Sequence, residues 1–167
     1  MTPADTFTLN TPKDGTTIEI TRWFAAPPAV LWRMYTDPVH LVQFYGSPGC
    51  THPVCDMDVR PGGTWRHTLR VADGREFPSL STFIDIDPPN RFSYEWSAVP
   101  DPIFGPVLPP RTLNTMEFAA RDGGCLVTAR IECVTGAARD AMVARGFAVG
   151  VRDSMDRLDG YLPKRAA

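Results

Sequence analysis

From Ala137 to Pro163 the chain reads as one uninterrupted amphipathic helix, and no other stretch constrains the fold as much. Val143, Phe147, Val151, Met155, Leu158 and Leu162 recur at steps of three and four and so share a face. Arg152 with Asp156, and Asp153 with Arg157, are opposite charges four apart, which suits a solvated side. Pro163 supplies a stop, and Lys164 and Arg165 lie where the negative end of the helix dipole favours cations. Gly146, Gly150 and Gly160 each cost such a helix about 1 kcal/mol against alanine. A helix so weakened is held only by packing against something large. The upstream sequence must supply that surface, and it reads as a curved antiparallel sheet.

At 167 residues the chain suits one domain with a substantial core. Its 43% hydrophobic and 22% charged content is that of a globular protein. A net charge of -2 and the lack of any Lys/Arg cluster argue against nucleic acid as a partner. No apolar run is long enough to span a membrane, and the first residues do not resemble a signal peptide, so a cytoplasmic location is expected. The 4 cysteines are expected as free thiols. Proline is abundant, with 17 residues. Pro100, Pro102, Pro106, Pro109 and Pro110 predict a stiff, structured loop.

Residues 1–15 carry no period and are expected to be loose, leaving 16–167 as the single domain. Thr16 to Phe24 alternates as a first strand. Pro27-Pro28 opens a helix through Tyr35, and Asp37 caps a shorter one that Gly46 to Gly49 ends. Val54 to Arg60, Thr64 to Val71, Glu76 to Ile86 and the stretch of Phe92, Tyr94 and Trp96 follow as strands. Pro61-Gly62-Gly63, Asp73-Gly74 and Asp87-Pro88-Pro89-Asn90 turn the chain between them. Thr112 to Phe118 and Leu126 to Cys133 make a last hairpin across Asp122-Gly123-Gly124. Helices segregated from antiparallel strands predict an α+β domain.

Several local motifs occur in an order that resembles the START-like (SRPBCC, helix-grip) superfamily. The chain is most similar there to the branch named for activators of the heat-shock protein 90 ATPase. The matching stretches are Ala26-Pro27-Pro28 with Val30-Leu31-Trp32, Thr36-Asp37-Pro38, and Asp58-Val59-Arg60-Pro61-Gly62-Gly63-Thr64-Trp65-Arg66. Asp73-Gly74-Arg75-Glu76, Ile86-Asp87-Pro88-Pro89-Asn90-Arg91 and Met155-Asp156-Arg157-Leu158 with Tyr161-Leu162 complete them. The resemblance implies a seven-stranded antiparallel sheet gripping the C-terminal helix, with two short helices after the first strand and a cavity between sheet and helix. Members bind apolar molecules, act as co-chaperones, or are cyclases or hydrolases. This chain departs from the branch at Phe44-Tyr45-Gly46-Ser47-Pro48, where paired tryptophans are common, and at Val151, where a tryptophan often stands.

The candidate site residues follow from strand faces and that implied cavity. Trp65, Phe83, Tyr94, Trp96, Met116 and Phe118 form an aromatic and methionine wall, each individually readable as ordinary core. His67 shares a strand face with Trp65 and Leu69 and is expected to point inward. There it would contact a ligand, act as acid or base, or sit in the core bonded to a tyrosine or the backbone. Met142, Gly146 and Gly150 put a ligand-facing surface on the long helix. If Gly146 faces a cavity within that helix, replacing it by alanine should be neutral or stabilising. Cys50, His52 and Cys55 are close in sequence, but zinc needs three or four ligands and no fourth stands at useful spacing, so no metal is expected. No catalytic residue, nucleophile motif or phosphate loop is legible, and no cofactor is expected. The expected function is binding of a small apolar or amphipathic molecule. The rivals are a co-chaperone using the outer sheet face of Arg66, Thr68 and Arg70, and an enzyme using His67; a homodimer is left open.

Overall fold

The computed structural model describes residues 6–164. Eight strands form one antiparallel sheet in the order β1-β2-β8-β7-β6-β5-β4-β3. The strands are β1 (Thr8–Asn10), β2 (Thr17–Phe24), β3 (Thr51–Met57), β4 (Thr64–Arg70), β5 (Glu76–Asp87), β6 (Arg91–Ala98), β7 (Thr112–Arg121) and β8 (Gly124–Cys133). Helices α1 (Pro28–Thr36) and α2 (Pro38–Leu41) follow β2, while α3 (Gly136–Ala144) and α4 (Phe147–Tyr161) follow β8. This is the expected α+β, helix-grip arrangement with one strand more. β1 falls in the segment expected to be loose, and there Leu9 pairs with Ile20 of β2. The first five residues lie outside the described part. Among the described residues no helix is long and apolar enough to cross a membrane.

Period-two alternation explains the core. Ile18, Ile20 and Phe24 of β2 are buried, and so are Val127, Ala129 and Ile131 of the neighbouring β8. Leu31, Met34 and Tyr35 of α1, with Leu41 and Phe44, bury the apolar face of the two short helices. Asp37 caps α2 as expected, its carboxylate accepting from the Val39 N–H at 3.0 Å.

The uninterrupted C-terminal helix does not form. Gly146, at φ +89, separates α3 from α4 in the left-handed conformation that glycine enters without steric cost. Its N–H donates to the Val143 carbonyl at 3.0 Å, and its own carbonyl accepts from Gly150 at 3.1 Å. One residue thus closes the first helix and starts the second. Because Val143 and Phe147 remain four apart across it, the apolar spacing in the sequence gives no sign of the break.

The expected charge pairs along this helix are also replaced. Asp156 pairs with Arg22, which is buried on β2, and Asp159 lies 3.8 Å from the same guanidinium. Arg157 donates to the Gly46 carbonyl at 2.9 Å and the Gln43 carbonyl at 3.3 Å. Arg152 lies over the Phe7 ring at 5.0 Å. An exposed pair four apart on a helix is worth about 0.5 kcal/mol at most, so packed tertiary partners win.

Candidate functional site

A pocket of about 980 Å³ lies between the inner sheet face and the C-terminal helices. Trp65, Tyr94, Trp96, Met116 and Ile131 line it from the strands. Met142 of α3 and Phe147, Gly150 and Val151 of α4 line it from the helices. Exposed Pro48, Ala72 and Asp73 border it, as do Pro109 and Pro110 from the proline-rich segment. A Cβ built on Gly150 meets nothing within 4 Å, so the helix presents free space there.

Six of the sequence-derived residues come together in this lining: Trp65, Tyr94, Trp96, Met116, Met142 and Gly150. Four do not. Phe83 is buried core, its ring 6.1 Å from Phe92 and 6.2 Å from Tyr94. Phe118 lies where α1 covers the sheet, its ring 6.0 Å from Trp32 and 5.7 Å from Tyr35. Gly146 leaves the helical register on which its placement rested, because the left-handed turn interrupts that register. His67 points inward as expected, but it does not line the pocket.

His67 instead stacks on His52, with ring centroids 5.1 Å apart. The Nδ1 of His52 and the Nε2 of His67 are 2.9 Å apart, so one imidazole donates and the other accepts. Burial chiefly, and the His52 charge after it, push His67 down to about 4. Burial also lowers His52, opposed by the Tyr45 backbone and aided by the Arg157 charge. Both rings are neutral near pH 7. Tyr45 packs edge-on to His67 at 5.4 Å and to Trp65 at 5.7 Å. Cys55 stands opposite His67 across the β3–β4 pair, and burial raises its thiol, so it stays protonated at neutral pH. The arrangement therefore offers a neutral, packed imidazole pair with no thiolate beside it. Among the described residues no group of three or more His, Cys, Asp or Glu side chains is placed to hold a metal.

Two lining residues escape a reading of strand faces altogether. Tyr35 belongs to α1 and Tyr45 to the segment after α2, and both line the pocket with Tyr94. The one signal for Tyr45 is its place in the stretch where the chain departs from the tryptophans of its relatives. Burial raises all three phenols, Tyr45 to about 12, and each also feels the charge of another titrating side chain.

The curved sheet, the paired short helices and the helical cover of the inner face define a helix-grip domain. The family described as activator of Hsp90 ATPase homolog 1-like protein matches residues 25–163, and the chain belongs to it. Among solved structures, a Mycobacterium smegmatis protein is similar at 28% identity, covering 93% of this chain and 96% of its own, with a TM-score of 0.83. A Rhodobacter sphaeroides protein is similar at 23% identity, covering 95% and 99%, with a TM-score of 0.84. A Nitrosomonas europaea protein at 21% identity covers 92% and 97% with a TM-score of 0.78. The likenesses to the Rhodobacter and Nitrosomonas proteins speak for the fold alone. No curated protein matches the chain.

Proposed function

We propose that the protein holds a small apolar or amphipathic molecule between its sheet and its C-terminal helices. The observation that carries this reading is the lining: aromatic and methionine side chains on the sheet opposite a helix whose Gly150 presents none. The volume of about 980 Å³ falls within the span of small-molecule sites, about 300–1,000 Å³. Each apolar Å² of ligand removed from water there contributes about 25 cal/mol. The family name favours one alternative, a co-chaperone acting through its surface. That alternative needs no interior space, whereas the pocket supports the small-molecule reading directly. His67 supports an enzymatic reading less, because it faces His52 rather than the pocket.

Native mass spectrometry of freshly purified protein tests the proposal, with a copurified small molecule as the expected result. The fluorophore 1-anilinonaphthalene-8-sulfonate should bind the wild type, bind Trp96→Ala more weakly, and fail to bind Gly150→Leu. Unchanged binding in both variants, each shown to be folded by circular dichroism, would mean that this wall is ordinary core.

A further inference from the structure

The apolar reading leaves one feature of the pocket unexplained: its three tyrosines. Tyr35, Tyr45 and Tyr94 reach it from α1, from the segment after α2 and from β6. Among the described residues, none of the three hydroxyls has a hydrogen-bond partner. Tyr35 is the sharpest case, because its side chain lines the pocket while the residue is only 8% exposed. A hydroxyl that opens onto the pocket without a protein partner is left for water or a ligand oxygen to bond.

The rings are fixed rather than free to swing outward. Tyr35 packs on Phe44 at 5.2 Å, Tyr45 on Trp65 at 5.7 Å, and Tyr94 on Trp65 at 5.5 Å. The charge of Tyr45 is felt at Tyr35 and Tyr94, and that of Tyr35 at Tyr94, so the three phenols lie within electrostatic reach of one another. Burial raises all three, so they remain protonated donors at neutral pH. The charged lining residues are Asp73, Arg75, Arg130 and Arg145, from the β4–β5 hairpin, from β8 and from the end of α3. The elements that carry the tyrosines contribute none. Arg22, whose charge reaches Tyr35, is already engaged by Asp156. Among the described residues, none of these lining charges is one that acts on the phenols, so a neutral oxygen, which finds three donors there, suits them better than an ionised group. Trp65, Phe92 and Trp96 line the same pocket and offer flat surfaces to a ring.

We propose that Tyr35, Tyr45 and Tyr94 form an oxygen-binding subsite, and that the molecule held is a neutral aromatic compound bearing a carbonyl or hydroxyl oxygen. The proposal rests on the pocket reading above and deepens it by assigning the ligand's polar end. The oxygen takes its hydrogen bonds from the phenols while the ring lies along the tryptophans.

Two matched fluorophores test it. Prodan carries a propionyl ketone on a dimethylaminonaphthalene, and 2-dimethylaminonaphthalene is the same ring system without the ketone. The wild type should bind prodan more tightly than the parent amine by about fivefold or more, the worth of one net hydrogen bond. Tyr35→Phe removes only the hydroxyl; it should weaken prodan by about fivefold and leave the parent amine within about twofold. The urea midpoint of Tyr35→Phe should stay close to that of the wild type, since the hydroxyl it removes bonds no protein group. If Tyr35→Phe does not fold, Tyr45→Phe and Tyr94→Phe carry the same comparison. Equal wild-type affinity for the two probes overturns the subsite and leaves the apolar pocket standing. Prodan binding unchanged in all three phenylalanine variants does the same. A folded wild type that binds neither probe overturns both readings.

Discussion

The two halves of the C-terminal helical run share the same three-and-four apolar spacing but meet different surroundings. From Ser154 onward, α4 is tied to the rest of the molecule on several sides. Met155 and Leu158 are buried, Arg22 holds Asp156, and the Ser154 hydroxyl accepts from the Gly46 N–H at 2.8 Å. The Tyr161 hydroxyl lies 2.8 Å from His40 Nδ1. In contrast, α3 and the first turn of α4 line the pocket with Met142, Phe147 and Gly150; Met142 still reaches the Cys133 thiol of β8 at 3.8 Å, but Gly150 faces open space. An apolar stripe decides which face of a helix turns toward the sheet. It does not decide whether the sheet touches it.

The largest test of this contrast removes the ties of the sealed half. Asp156→Asn with Asp159→Asn leaves Arg22 buried with no carboxylate, and should cost about 3–4 kcal/mol in urea unfolding. A loss below about 1 kcal/mol would mean that Arg22 is held chiefly by the Phe24 ring 5.3 Å away, and the electrostatic half of the comparison would go.

Acid should loosen the opposite edge of the sheet, where His52 and His67 lie on β3 and β4. The folded pKa of His67 is lowered to about 4 and that of His52 is lowered too, so the unfolded chain binds more protons between about pH 6.5 and 4. Stability is therefore fully present above pH 6.5 and is lost as pH falls toward 4, by up to about 3 kcal/mol for His67. His67→Gln should flatten the denaturant midpoint across that window. A wild-type midpoint that does not change between pH 7 and 4.5 would show that the pair carries no such linkage.

A smaller effect is expected at the break between α3 and α4, within the open half. Gly146→Ala meets no atom within 4 Å, yet at φ +89 it should destabilise by about 1–2 kcal/mol, the cost of a left-handed L-residue. This reverses the gain expected of a mid-helix glycine. A neutral Gly146→Ala would indicate that the break readily closes into a continuous helix.

The smallest expected effect lies over the pocket. Gly150→Ala adds a methyl to helix α4 facing empty space, and should stabilise by up to about 1 kcal/mol. A measured loss would mean that this half is sealed to the sheet like the other, and the comparison would collapse.

Much of the site was legible residue by residue. Trp65, Tyr94, Trp96 and Met116 sit on strands, where alternation assigns a face without further information. Met142 and Gly150 follow from helical spacing, which holds locally on each side of the break. Tyr35 was visible only as one of several apolar positions on a helix, and Tyr45 only as a departure from relatives. Neither position has a period that points it at a pocket. His52 was noticed for its nearness to cysteines, but its partner is His67, within hydrogen-bond reach where the β3–β4 register shifts between Thr51 and Val54.

The chain's own sequence determined the α+β class, most strand positions, the two short helices and the apolar face of the C-terminal run. These depend on the period of side chains and on turn residues, which act over a few neighbours. Only the tertiary structure decided that the run breaks at Gly146, that Asp156 belongs to Arg22, and that Phe83 and Phe118 are core while Trp96 lines a pocket. Those outcomes depend on distances between residues far apart in the chain. A glycine inside an apolar period is compatible with either a helix or a break, and an aspartate on a helix surface can take a cation from its own turn or from the sheet. The choice rests with whichever packed partner stands within reach, and spacing along the chain does not carry that information.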